Sequence, residues 1–247
     1  MREKLKFHKM QSLGNDFMVV EAITKEISLK PSQIKAWANR SKGVGFDQLL
    51  LIEPPTDPEV DFRYRIFNAD GSEAEQCGNG SRCVALLVNK LGLSHKDTLQ
   101  WQTTRGLTKT VLYLSNREVT VETHMQPPLI EWREIPFDQC DGRGQTEIGV
   151  SSGGLSIFPI SIGNPHAVIF VNNVSEEDVI GIGEEVSHHS KFANKTNVEF
   201  VQIVNEREIA LRIYERGVGE TAACGSGAAA AFAASKILEK VTSQVRV

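Results

Sequence analysis

The chain has 247 residues, with 27 Lys and Arg against 31 Asp and Glu and a formal net charge of −4. That balance gives no electrostatic footprint for nucleic acid or an anionic membrane. The uncharged run Thr221–Ser235 is mostly Ala and Gly and falls short of the roughly 20 apolar residues a membrane span needs.

The opening MREKLKFHKM carries charge without an apolar core, so it does not read as a secretory signal. Alternation and β-branched enrichment predict strands near Leu5–Met10, Phe17–Ala22, Leu49–Glu53 and Phe62–Phe67. Pro31–Asn39 reads as a short helix with proline in its first turn. Gly78–Leu91 reads as a helix with Val84, Leu87, Val88 and Leu91 on one face, stopped by Gly92. Strands follow near Thr98–Thr104, Lys109–Leu114 and Glu118–Thr123. The polar, proline-bearing stretch Glu122–Pro136 reads as a crossover. Beyond it the pattern restarts, with strands near Ile157–Ile162, Val168–Val171, Val198–Val204 and Ile209–Tyr214. A last helix, Gly225–Glu239, has small side chains on all sides and so is closely surrounded by other structure.

The restart is an internal duplication. FNADGSEAEQCGNGSRC and YERGVGETAACGSGAAA align without a gap, each delivering one cysteine, Cys77 or Cys224, into a Cys-Gly-X-Gly helix start. SLGNDFMVV matches SIGNPHAVI, pairing Asn15 with Asn164, and GFDQLLLI matches NKTNVEFV, pairing Gln48 with Asn197; both pairs are 149 positions apart. The period far exceeds the 20–50 residues of a solenoid. Two similar α/β domains are expected, 1–123 carrying Cys77 and 124–247 carrying Cys224, with paired half-sites facing one another across a cleft.

A cysteine at a helix start meets outward-pointing amides and the positive end of the helix dipole, which favour a thiolate or a bound carboxylate. Glycines beside it let a ligand carboxylate approach the N–H groups. Two such units converging on one carboxylate would place a sulfur on each face of its α-carbon. One thiolate would remove the α-proton and the opposing thiol would return one, inverting the centre with no cofactor. Asn15, Gln48, Asn68, Asn164, Asn197, Glu215 and Arg216 sit at predicted strand ends or turns of the repeated blocks, and suit an amino-acid substrate with a second charged end. Cys83, inside the helix, and Cys140, in a polar loop, read as incidental, and His188-His189 as a solvated loop. Four cysteines without a signal read as reduced cytoplasmic thiols, and with no CxxC or HxxxH spacing no metal is expected.

GNDF, FNADGSEAEQCGNGSRC, GNPH, TNVEF and YERGVGETAACGSG together resemble the motifs of the diaminopimelate epimerase family, in its order and over roughly residues 5–240. The resemblance implies a cofactor-independent enzyme interconverting LL- and meso-diaminopimelate for lysine and cell-wall precursors. It implies two pseudo-symmetric α/β (α+β) domains, each a curled mixed sheet around a central helix. Cys77 and Cys224 would then be the acid/base pair, with the amides of Gly78-Asn79 and Gly225-Ser226 on the reacting carboxylate. Asn68, Asn164, Asn197 and Arg216 would read the distal end, Asn15 and Gln48 would line the pocket, and His166 and Glu215 would tune the reacting end. A homodimer is also implied, the family's members running on into a final hairpin that adds to dimer contacts. Three other readings stay open: a racemase of another amino acid such as proline or histidine, a redox protein using the two thiols as a reversible disulfide, and an inactive binding relative.

Overall fold

The computed structural model describes residues 4–74, 77–115, 119–125, 127–139 and 142–247. Cys140 and the predicted strand start at Glu118 lie outside the described residues. The chain divides into two compact units, Met1–Met125 and Gln126–Val247.

In the first unit the elements are β1 (His8–Ser12), β2 (Asn15–Glu21), α1 (Pro31–Ala38), β3 (Gln48–Glu53), β4 (Phe62–Asn68), β5 (Glu73–Ala74), α2 (Gly78–Lys90), β6 (Thr98–Thr103), β7 (Gly106–Leu114) and β8 (Val119–His124). The strands form one mixed sheet in the order β1-β2-β3-β4-β6-β7-β8, with β5 added on β4. Only β2–β3 and β4–β6 pair in parallel. The runs FMVV and LLLI lack polar alternation because both faces of β2 and β3 are covered, as in other sheets flanked on two sides. Phe17, Val19, Leu50 and Ile52 pack with Val84, Leu87 and Val88 of α2. Met18, Val20, Leu49 and Leu51 pack on the opposite side with Ile34 and Ala38 of α1. Each such side chain contributes about 1.5–3 kcal/mol by leaving water. Past α2, Gly92 at φ +66° takes the left-handed turn that only glycine adopts freely, and the Leu93 amide closes back on the Val88 carbonyl.

The second unit holds β9 (Thr146–Val150), β10 (Gly153–Ser161), β11 (Pro165–Phe170), α3 (Val179–Ser187), β12 (Asn197–Asn205), β13 (Glu208–Glu215), β14 (Gly219–Thr221) and α4 (Gly225–Ile237), with short 3-10 turns at Trp132–Glu134 and Val174–Glu176. Its sheet runs β14-β13-β12-β11-β10-β9. The pairing repeats that of the first unit: an antiparallel pair, one parallel pair, then antiparallel additions, so β10-β11-β12-β13-β14 match β1-β2-β3-β4-β5. The register matches too, Phe17 opposite Gln48 and His166 opposite Asn197.

The structure corrects several expected elements. The first strand begins at His8 rather than Leu5. The helix α3, the strand β9 and the short strands β5 and β14 were not among the elements expected from the sequence. Two glycines, Gly181 and Gly183, lower the helix propensity of α3, whose Val179, Ile182 and Val186 face the core. The structure requires one of the two glycines, since a Cβ on Gly183 would meet the Tyr214 Cβ at 2.6 Å. His188 is the exposed C-cap of α3 and His189 follows it outside any element, as expected of a solvated loop. Among the described residues no helix is long and apolar enough to cross a membrane.

Candidate active site

In each unit a cysteine stands at the N-cap of the helix that packs on the sheet, with extended backbone before the first turn. Every polar residue expected at the site lies within a few residues of a strand or helix end. Asn15 opens β2, Gln48 opens β3, Asn68 closes β4, Asn197 opens β12 and Glu215 closes β13, with Arg216 next and Asn164 just before β11. Pairing of neighbouring strands therefore gathers their ends beside the helix start.

In the first unit the Gly80 amide donates to Cys77 Sγ at 3.3 Å, and the Asn15 Oδ1 lies 3.9 Å from the same sulfur. Asn15 is held by its other end, Nδ2 donating to Asp47 Oδ2 at 2.9 Å. Asp47 also accepts from the Asp16 amide and from Arg40, and Arg40 and Lys9 both pair with Asp16. The Arg40 guanidinium holds the Asp16 carboxyl well below the usual carboxylate range, with Lys9 and Asp47 adding to it against the cost of burial. Gln48 Nε2 donates to Asn68 Oδ1 at 3.1 Å across the β3–β4 pair, and Asn68 Nδ2 to Ser72 Oγ at 3.1 Å. Gly78 is half-buried, and Asn79 is buried with Oδ1 accepting from Arg82 at 2.9 Å. Cys83 faces the core, and burial pushes its thiol up to about 11, consistent with a structural cysteine.

In the second unit Cys224 Sγ lies 3.4 Å from Ser226 Oγ. Asn164 Nδ2 donates to that hydroxyl at 3.3 Å, and Asn164 Oδ1 lies 2.9 Å from His166 Nε2. The other ring nitrogen, Nδ1, is 2.7 Å from Glu199 Oε1, both side chains being fully buried. Burial pushes the Cys224 thiol up, the Glu215 carboxylate adds to this, and the Ser226 hydroxyl pulls the other way. Glu215 is fixed by the Thr221 hydroxyl at 2.6 Å. Asn197 is buried, its Oδ1 accepting from the Arg216 amide at 3.0 Å, while Arg216 Nη1 donates to the Asn194 carbonyl at 3.0 Å. Gly225 forms the first helical position beside Ser226.

Asp47 and Glu199 were missed by the sequence reading. Asp47 left only its place beside Gln48 as a signal, and Glu199 only its place as a lone charge inside the apolar run of β12. No group of His, Cys, Asp and Glu able to hold a metal occurs among the described residues.

Two matched cysteine-capped helices on a duplicated sheet are the layout of a two-domain amino-acid racemase or epimerase. The fold is shared with a hydroxyproline epimerase from Agrobacterium vitis, with a TM-score of 0.72 at 15% identity over 98% of this chain and 80% of that one. It is shared also with a probable proline racemase from Agrobacterium radiobacter, with a TM-score of 0.71 at 14% identity over 97% and 79% of the two chains. Residues 7–128 and 158–247 match the family model for diaminopimelate epimerase. A diaminopimelate epimerase from Azotobacter vinelandii is 45% identical over 232 residues, covering 94% of this chain and 83% of that one. The chain belongs to the diaminopimelate epimerase family, and it is an isomerase.

Proposed function

We propose that this chain interconverts LL- and meso-diaminopimelate by a two-base proton transfer between Cys77 and Cys224. The observation that carries the reading is the repeated helix start: each unit presents one cysteine at the N-cap of its sheet-packed helix, in a chain of this family. One sulfur, as thiolate, takes the α-proton, and the electron pair left behind spreads into the adjacent carboxylate. The other, as thiol, delivers its proton to the opposite face. The substrate's proton count is unchanged, the centre is inverted, and the two sulfurs have exchanged protonation states. The amides of Gly78-Asn79 and Gly225-Ser226 stabilise the charge that builds on the carboxylate, because first-turn N–H groups and the helix dipole point at it.

Asn68, Asn164, Asn197 and Arg216 take the distal ammonium and carboxylate, and Asn15 and Gln48 line the pocket. Arg216 is the discriminating residue: a monocarboxylate substrate would leave its guanidinium without an anion. His166 and Glu215 tune the Cys224 end. The thiol raised by burial is a poor acid in isolation but a strong base once ionised, which suits abstraction of a weakly acidic α-proton. Cys77, Cys83 and Cys224 are thiols outside any disulfide, which fits the cytoplasm, and we infer a homodimer from the family resemblance.

The test is incubation with LL-diaminopimelate in heavy water under reductant, followed by NMR and chiral chromatography. Deuterium at the inverted α-carbon is expected. Folded protein that racemises proline or histidine and leaves diaminopimelate undeuterated would overturn the assignment.

A further inference from the structure

The two repeats differ beneath their helix starts. A Cβ on Gly80 would meet Leu50 at 3.0 Å, and a Cβ on Gly227 would meet Glu199 Oε1 at 2.9 Å. Leu50 and Glu199 are the same position of the repeat, 149 residues apart, as are Phe17 and His166. Under Cys77 these positions are core hydrocarbon. Under Cys224 they are a fully buried carboxyl and imidazole 2.7 Å apart. An ionisable pair placed where the sister repeat keeps Phe and Leu is costly unless its two members pair with one another. Here the pair connects directly to the sulfur through Asn164 and Ser226.

We propose that Glu199 is a positioning residue: bonded to His166 Nδ1, it keeps a proton on Nε2 and so, through Asn164 and Ser226, aims a hydroxyl proton at Cys224. The directions along the chain follow from donor counts. Asn164 presents Oδ1 to His166, so Nε2 must donate; its Nδ2 donates to Ser226 Oγ, leaving the hydroxyl proton to point at the sulfur 3.4 Å away. The Glu199–His166 pair therefore holds two protons and no net charge, one on Nε2 and one shared between Nδ1 and Oε1. Glu199 Oε2 is buried without a hydrogen-bond partner among the described residues, and burial pushes this carboxyl up, both of which fit a proton kept in the pair. The groups acting on Cys224 are Glu199 from β12, Glu215 from β13 and, from α4, the Ser226 hydroxyl and the Gly227 amide, while His166 of β11 reaches it only through Asn164 and Ser226. Of these, the Ser226 hydroxyl is the side-chain donor that favours the thiolate, and Glu199 orients it at two removes. Cys77 has Asn15 Oδ1 nearby instead, an acceptor, so the two thiols are inequivalent by construction.

This inference deepens the two-cysteine reading and rests on Cys224 being a reacting thiol, but its test needs no substrate. Nitrogen-15 spectra of the wild-type protein, with His166 assigned by His166→Gln, are expected to show Nε2 protonated; a neutral ring protonated on Nδ1 alone overturns the proposal. Iodoacetamide labelling of Cys224 and Cys77 is then followed against pH by peptide mass spectrometry. In Glu199→Ala the Cys224 profile is expected to move up by about one pH unit, roughly tenfold in labelling rate at a given pH, while that of Cys77 stays. Glu199→Gln, whose amide can donate to Nδ1, is expected to bring the Cys224 profile back toward wild type. An unmoved Cys224 profile, or equal shifts of both cysteines, overturns the proposal. If Glu199→Ala does not fold, Ser226→Ala carries the same measurement with the same two outcomes. Loss of epimerase activity in the wild type with the labelling result as expected would sink the function and leave this inference standing.

Discussion

Replacing Arg216 with Met isolates the substrate's second carboxylate. Arg216 Nη1 is anchored on the Asn194 carbonyl, and among the described residues the rest of the guanidinium carries no protein partner, so its fork is available to an anion. Asn194 is exposed, so water takes over its carbonyl in the variant and the fold loses little. The Arg216 main-chain bond to Asn197 is untouched by a side-chain change. What is lost is a charge-assisted, bidentate bond of about 1.5–3 kcal/mol. That corresponds to roughly a 10- to 150-fold drop in kcat/KM for diaminopimelate. The assay is deuterium incorporation at the α-carbon, with lysine as the comparison substrate because it lacks the distal carboxylate. Lysine turnover is expected to be very low in wild type and little changed in the variant. Equal proportional losses for both substrates would refute the assignment and make Arg216 a structural residue or a partner of the reacting end.

Cys77→Ala and Cys224→Ala are each expected to abolish epimerisation while circular dichroism stays native; a residual rate above about a hundredth of wild type would exclude the two-base mechanism, since a positioned acid or base contributes roughly 10²–10⁴-fold. Arg40→Met is expected to lower Tm at neutral pH, with the deficit shrinking as pH falls below about 4. The sign follows from Asp16, whose folded carboxyl is depressed by Arg40: its stabilisation is full above the unfolded carboxylate range and drains away as pH drops toward the folded value. A Tm difference constant from pH 3 to 7 would contradict this. Gly183→Ala is expected to destabilise the second unit by about 1–3 kcal/mol, because its Cβ would sit 2.6 Å from the Tyr214 Cβ. An unchanged thermal transition would show that α3 can shift away from β13 at no cost.

Much of the candidate site was legible because its signals are local. A cysteine followed by glycines needs only the next turn to become a helix N-cap, and both Cys77 and Cys224 do so. Asn15, Gln48 and Asn197 were readable as strand ends because an apolar run begins beside each. The helix α3 was not legible, since its apolar stripe of Val179, Ile182 and Val186 is interspersed with the poor helix formers Gly181 and Gly183, and a helix of nine residues is stable only when packed. The strands β5 and β14, of two and three residues, are too short to carry a period.

The sequence by itself determined the duplication, the two thiols and the family motifs, because repeats and N-caps are written in contiguous residues. Only the tertiary structure decided how the two helix starts differ. Glu199 and His166 lie 33 residues apart and meet because β11 and β12 pair in parallel under α4. A charge inside an apolar strand does not reveal which face it takes or what meets it there. That depends on the register of two strands and the helix laid over them, and the same register puts hydrocarbon under Cys77 and an imidazole–carboxyl pair under Cys224.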